Sequence, residues 1–112
     1  MTKIMTFDCD KEAQSCIALA AQVIGAKWVS EVIFGLANGV RRFSELEKLV
    51  TGINPRTLSA RLDELEEMKI ISKKSYAEMP PRIEYTLTAK GHDLLPILEQ
   101  MQTWGQKYPR AT

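Results

Sequence analysis

A chain of 112 residues, 45% hydrophobic and 26% charged, has the make-up of one folded domain and not of a disordered segment. Its formal net charge of +1 does not announce a polyanion partner, and no apolar run approaches the ~20 residues that a membrane helix needs. The opening MTKIMTFDCD lacks an apolar core of signal-peptide length, so a cytoplasmic location and no membrane partner are expected.

In chain order, residues 11–24 predict a helix rich in alanine and aliphatics, stopped by Gly25. A second helix is expected over 27–37, with Trp28, Val32, Ile33 and Leu36 on one face and Asn38-Gly39 as the stop. Residues 40–43 are a candidate short strand. Ser44 with Glu47 matches a capping box, opening a short helix over 45–50. After the turn Thr51-Gly52-Ile53, Asn54 is a strong N-cap and Pro55 suits the first helical position. The helix that follows should run to about Met68 on a Leu58, Leu62, Leu65 stripe.

Strict apolar/polar alternation directly behind the prolines of MPPR predicts a hairpin with its loop at 77–81. In that register Ile71, Lys73 and Ser75 oppose Leu87, Tyr85 and Ile83, and Lys74 pairs outward with Glu84. Thr88 is then expected to cap a last helix, weakened by Gly91 and kinked or started late near Pro96. Its stripe is Leu94, Ile97, Leu98, Met101, Trp104 and Tyr108. Two helices joined by a tight turn and followed by a hairpin give a winged helix-turn-helix outline, mainly α with a small β-hairpin (α+β). The recognition helix falls at about 54–68 and the wing at about 70–87.

Charge is distributed unevenly along the fourth helix. Its first turns carry Arg56 and Arg61, with Thr57 and Ser59 as short polar readers, and its last turns carry Asp63, Glu64, Glu66 and Glu67. Acids late and cations early is the reverse of the helix-dipole preference. It is the polarity wanted by a helix whose N-terminal half enters a major groove. Lys73, Lys74 and Arg82 on the hairpin are candidate backbone contacts, and the prolines stiffen a tip that presents Arg82. Asn54, Arg42 and Lys27 complete the candidate DNA-binding set.

The first helix (Ile17, Ala20, Ala21, Ile24) and the last (Leu98, Met101, Trp104, Tyr108) carry more apolar surface than this core needs. Pairing two copies there would hide it. A winged helix used as a protein-interaction module, without DNA affinity, is the competing reading. Neither a Gly-rich phosphate loop, a nucleophile elbow nor a metal motif is present, so no enzyme activity or cofactor is expected. His92 is the only histidine and has no second ligand nearby. Cys9 and Cys16 are the candidate redox-sensing thiols. Cys9, outside the first helix, is the more open to attack but lies between Asp8 and Asp10, which disfavour its thiolate. Cys16, among Ala and Ile, reads as a buried small hydrophobe.

Five segments in order also resemble the HxlR family of bacterial winged-helix transcriptional regulators, relatives of the MarR group. They are IGAKW (24–28), RRFSEL (41–46), INPRTLSARLDELE (53–66), PPRIEYTLTAKG (80–91) and MQTWG (101–105). The resemblance implies a homodimer on palindromic operator DNA, with recognition helix 54–67 and wing 73–82, and an oxidant or small-molecule effector. Several members carry a redox-sensing cysteine at a position that falls here on Ser15, one residue before Cys16. The family usually closes its recognition helix with glycine. Lys69 stands there, so a cap of other geometry is expected.

Overall fold

A computed structural model describes residues 11–110. The elements are α1 (Lys11–Ile24), α2 (Val29–Gly35), β1 (Arg41–Arg42), α3 (Phe43–Leu49), α4 (Pro55–Glu67), β2 (Ile71–Tyr76), β3 (Arg82–Leu87), α5 (Ala89–His92) and α6 (Leu95–Lys107).

The helix starts show where local pattern decides and where packing overrides it. α1 ends as expected: the Gly25 N–H donates to the Ala21 carbonyl at 2.8 Å. α2 begins later than the apolar spacing suggests, because Trp28 adopts φ 75°. That left-handed turn lays the indole against the core cluster and toward Gly52, leaving Lys27 outside the helix. α3 begins at Phe43 and not after Ser44. Its N-cap is Arg42, whose backbone N–H donates to the Glu45 carboxylate at 2.7 Å. Ser44 and Glu47 therefore do not form the expected box. β1 runs directly into the helix and fixes Arg42 in the extended cap conformation.

α4 opens as read. The Asn54 side chain accepts from the Thr57 N–H at 2.9 Å, and Pro55 occupies the first turn. Its end corrects the expectation of another cap geometry. Lys69 takes φ 64°, the glycine conformation, without being glycine. The Lys69 N–H donates to the Glu66 carbonyl and the Ile70 N–H to the Leu65 carbonyl, both at 2.9 Å. This is a Schellman closure, with Ile70 and Leu65 both buried. A side chain in that conformation costs ~1–2 kcal/mol. The two bonds and the apolar contact offset it.

The hairpin register agrees with the alternation: Ile71 pairs with Leu87, Lys73 with Tyr85, Lys74 with Glu84 and Ser75 with Ile83. β1 adds to the far side of β3, Arg41 opposite Tyr85, making a three-stranded antiparallel sheet of order β1-β3-β2. A two-stranded ribbon is marginal alone. Here its base rests on the helices through Ile71, Tyr85 and Leu87, all buried. Buried residues from α2, α3, α4, the sheet and α6 form one cluster, which includes Leu98 at 2% exposure.

α4, the sheet and the C-terminal helices meet at one junction. The Thr88 N–H donates to the Ile70 carbonyl at 3.0 Å. Its hydroxyl lies 2.6 Å from the Lys69 carbonyl and 3.0 Å from that of Ile70. Lys90 Nζ reaches the Met68 carbonyl at 2.7 Å. The same Thr88 oxygen accepts from the Gly91 N–H and caps α5. Gly91, which reads in sequence as a weak point of the last helix, is buried against this seam, and a Cβ there would collide with the Ile70 carbonyl. Helix geometry resumes at Leu95, with Pro96 in the first turn. We expect Gly91→Ala to destabilise the fold by about 1–3 kcal/mol through overpacking, read as a lower urea midpoint.

Candidate nucleic-acid interface

The exposed face of α4 starts with Arg56, Ser59 and Ala60. Arg56 projects from the first turn and makes no hydrogen bond or ion pair among the described residues. Thr57 is half-buried, and its N–H is taken by the Asn54 cap. The carboxamide oxygen of Asn54 is thereby committed to holding the helix start.

Arg61 is built differently from Arg56. Its Nε donates to the Lys27 carbonyl at 3.0 Å, and its Nη1 donates to the Glu64 carboxylate at 3.0 and 3.1 Å. The guanidinium thus ties α4 to the α1–α2 turn. Lys27 supplies a backbone acceptor there, and its ammonium sits 5.3 Å from the Trp28 ring centroid. Sequence spacing grouped Arg56 and Arg61 as equivalent readers. The structure separates them into an outward cation and an inward tie.

On the wing, Lys73 and Lys74 are exposed on opposite faces of β2. Lys73 shares a cleft with Asp63, Glu64, Glu66 and Glu67 of α4, so its charge sits within an acidic field. Lys74 lies on the other face with its Nζ 5.2 Å from the Tyr76 ring centroid. The expected outward pair of Lys74 with Glu84 holds as a strand register. The Glu84 carboxylate instead lies 3.6 Å from Arg82. Tyr85, buried at the base of the sheet, has its phenol pushed up in pKa by burial and then by the charges of Asp63 and Glu66.

Arg82 does not project from the tip. Its guanidinium stacks 3.9 Å from the Tyr76 ring centroid and pairs with Glu78 at 2.9 Å as well as with Glu84. Its Nε is buried without a partner among the described residues. The prolines therefore do not present Arg82 outward. Met79, 95% exposed, is what stands at the tip. Tyr76, Glu78 and Met79 were absent from the candidate set, although continuing the hairpin register by one step places Tyr76 opposite Arg82. Arg42 is exposed at the start of α3, whereas its neighbour Arg41 turns inward to the Gly35 carbonyl at 3.2 Å.

The HxlR-like helix-turn-helix model matches residues 23–112. The chain belongs to that family. An uncharacterized HTH-type transcriptional regulator of Methanothermobacter thermautotrophicus is 40% identical over 99 residues, covering 88% of this chain and 76% of its own length. Among solved structures, a protein described as a MarR-family transcriptional regulator of Porphyromonas gingivalis W83 superposes with a TM-score of 0.80 at 32% identity. That match covers 88% of this chain and 95% of the other. The redox regulator HypR in its reduced form gives 0.79 at 34% identity, over 85% of this chain and 94% of the other. Quinone-bound YodB from Bacillus subtilis gives 0.71 at 29% identity, over 82% and 96%. This HxlR-like protein is thus a helix-turn-helix transcriptional regulator with a winged-helix fold, and its relatives are regulators and not enzymes.

Away from α4, the family member carries an exposed apolar surface on its first and last helices. Ile17, Met101, Trp104 and Tyr108 are at least half-exposed, and Ala21 is exposed beside them. Two members of the expected dimer set are corrected. Leu98 is consumed by the protomer's own core, and Ile24 is half-buried against it. Cys16 is exposed, not buried, and lines an apolar cleft of about 290 Å³ with Leu19, Val23, Met68, Ile70 and Leu94. Cys9 lies outside the described residues. No single described helix is long and apolar enough to cross a membrane.

The two arginines of α4 should separate in a urea melt. Arg61→Ala loses the tie to Lys27 and lowers stability by about 1 kcal/mol, a modest figure because the site is partly solvated. Arg56→Ala stays within about 0.5 kcal/mol of the parent.

Proposed function

We propose that this regulator acts in the cytoplasm as a homodimer that binds operator DNA sequence-specifically, with α4 in the major groove. The observation that carries the reading is the unpartnered Arg56 on the outward face of the first turn of α4. Beside it, Ser59 and the Thr57 hydroxyl are short polar groups of the first turns of α4. Lys27, whose carbonyl meets Arg61, and Arg42, at the start of α3, serve as phosphate contacts. Asn54 and Arg61 serve by holding α4 in place, and Lys74 grips the backbone from the wing. Lys73 contributes less, because the α4 acids compete for its charge.

Two features support pairing. The exposed residues Ile17, Ala21, Met101, Trp104 and Tyr108 make an apolar surface at the two ends of the chain. The radius of gyration, 16.3 Å, exceeds the ~13 Å of a compact chain of this length. An elongated protomer with apolar side chains exposed on its first and last helices is suited to packing against a second copy.

A response to oxidants or electrophiles belongs to the same reading. The exposed thiol of Cys16 opens onto an apolar cleft between α1 and the end of α4. HypR and quinone-bound YodB are structural relatives whose descriptions name redox or quinone states. A reagent entering that cleft would press on the elements that hold α4.

Gel-shift titrations with the duplex upstream of the gene, at two salt concentrations, test these roles. Arg56→Ala should weaken binding by about 1–3 kcal/mol at both. Lys74→Ala should mainly flatten the salt dependence, by about one unit of slope. Diamide with an added small thiol, which oxidises Cys16 and that thiol to a mixed disulfide, should weaken binding by the parent and leave Cys16→Ser unchanged. Retention of the parent on neither heparin nor this duplex would favour the protein-interaction reading instead.

A further inference from the structure

The wing ends in chemistry that a phosphate contact does not need. Its tip, residues 77–81, places Met79 almost wholly in solvent, followed by the exposed Pro80 and Pro81. Prolines have no N–H to offer an anion. The Glu78 N–H is already donated to the Tyr76 carbonyl at 2.9 Å, and the Glu78 carboxylate faces Arg82. The nearest guanidinium is stacked on Tyr76 and held from two sides by Glu78 and Glu84. What remains outward is an apolar point on a braced ribbon, with the exposed Lys74 behind it on β2.

We propose that Met79 is the wing's DNA contact, made against the apolar sugar walls of the minor groove, and that Arg82 is a positioning residue. This rests on the operator-binding reading and extends it. Met and Pro are among the side chains that proteins place into minor grooves, where an apolar tip gains by leaving water. Duplex DNA is the occupant favoured here because the apolar point is followed along the ribbon by a cation. Such a profile matches a groove whose walls are sugars and whose rims are phosphates. Arg82 acts through the tip. Its planar stack on Tyr76 and its fork onto two carboxylates cannot be reproduced by a lysine, although a lysine keeps the charge. The bracing fixes the direction in which residues 78–80 leave the sheet.

Charge-conserving and apolar substitutions distinguish this from an arginine–phosphate contact. Anisotropy titrations would use a labelled duplex spanning the upstream intergenic region, at two salt concentrations. Met79→Ala should bind about five- to tenfold more weakly at both, with an unchanged salt slope, since no ion is released at an apolar contact. Arg82→Lys should lose a similar factor. Combining the two should cost no more than the larger single loss, because one residue works through the other. All three variants should melt within a few degrees of the parent, because the tip lies outside the core.

Parent-like affinity of Met79→Ala would overturn the proposal. So would parent-like affinity of Arg82→Lys together with loss of about one slope unit in Arg82→Ala, the mark of a phosphate contact. Failure of the parent itself to bind the duplex would sink the operator reading and the wing proposal together, and only that failure appears without any substitution.

Discussion

Three consecutive carbonyls at the end of α4 hold this molecule in shape. A helix end leaves acceptors without partners. Here those of Met68, Lys69 and Ile70 are taken by Lys90, by the Thr88 hydroxyl, and by Thr88 through both its N–H and hydroxyl. α4, the first residue of the hairpin and the start of the C-terminal helices are thereby fastened within a few residues of one another. Lys69 in a left-handed conformation and Gly91 pressed against the Ile70 carbonyl are two consequences of the same seam. Neither would be chosen by local preference alone. Both become necessary once the chain must turn from helix to strand and receive another segment at that point.

Electrostatics follow the same geometry. The cations and acids of α4 are not simply graded along its axis. They are sorted by direction. Arg61 and Glu64 neutralise each other against the Lys27 carbonyl, Lys73 faces the acids across a cleft, and Arg56 alone of the two α4 arginines is left to the solvent. A net charge near zero is therefore compatible with a surface that meets DNA. The opposing charges are paired within the protomer, and the DNA contact we propose needs only a few outward cations. The wing follows suit, with its arginine used to stiffen the ribbon.

Much of this was legible in the residues. The hairpin register followed from alternation bounded by two prolines, and Asn54-Pro55 marked the start of α4. What the pattern did not carry was direction. Arg82 and Arg56 look alike in a sequence, and only the ring of Tyr76 and the two carboxylates turn one of them inward. The stripe on the last helix likewise identified apolar residues without dividing them. Leu98 faces its own core, while Met101 and Trp104 do not. Cys16 read as buried because its neighbours are apolar. Most side chains of α1 around it are nonetheless exposed, and the helix packs on the core through Val23 and Ile24. The Ser44 cap was mistaken because the β1 ladder, a non-local pairing, had already fixed Arg42 as the residue before the helix. Trp28 shows the same limit, since its spacing suits a helix but it packs half-buried on the core with a left-handed backbone.

The most direct test of the whole account is a hydroxyl-radical footprint of the untreated protein on its upstream duplex. A symmetric pair bearing α4 and the wing predicts two equivalent protected blocks centred about 34 Å apart, one helical turn, each flanked by protection in the minor groove. A single block, or a uniform pattern without periodicity, would contradict it.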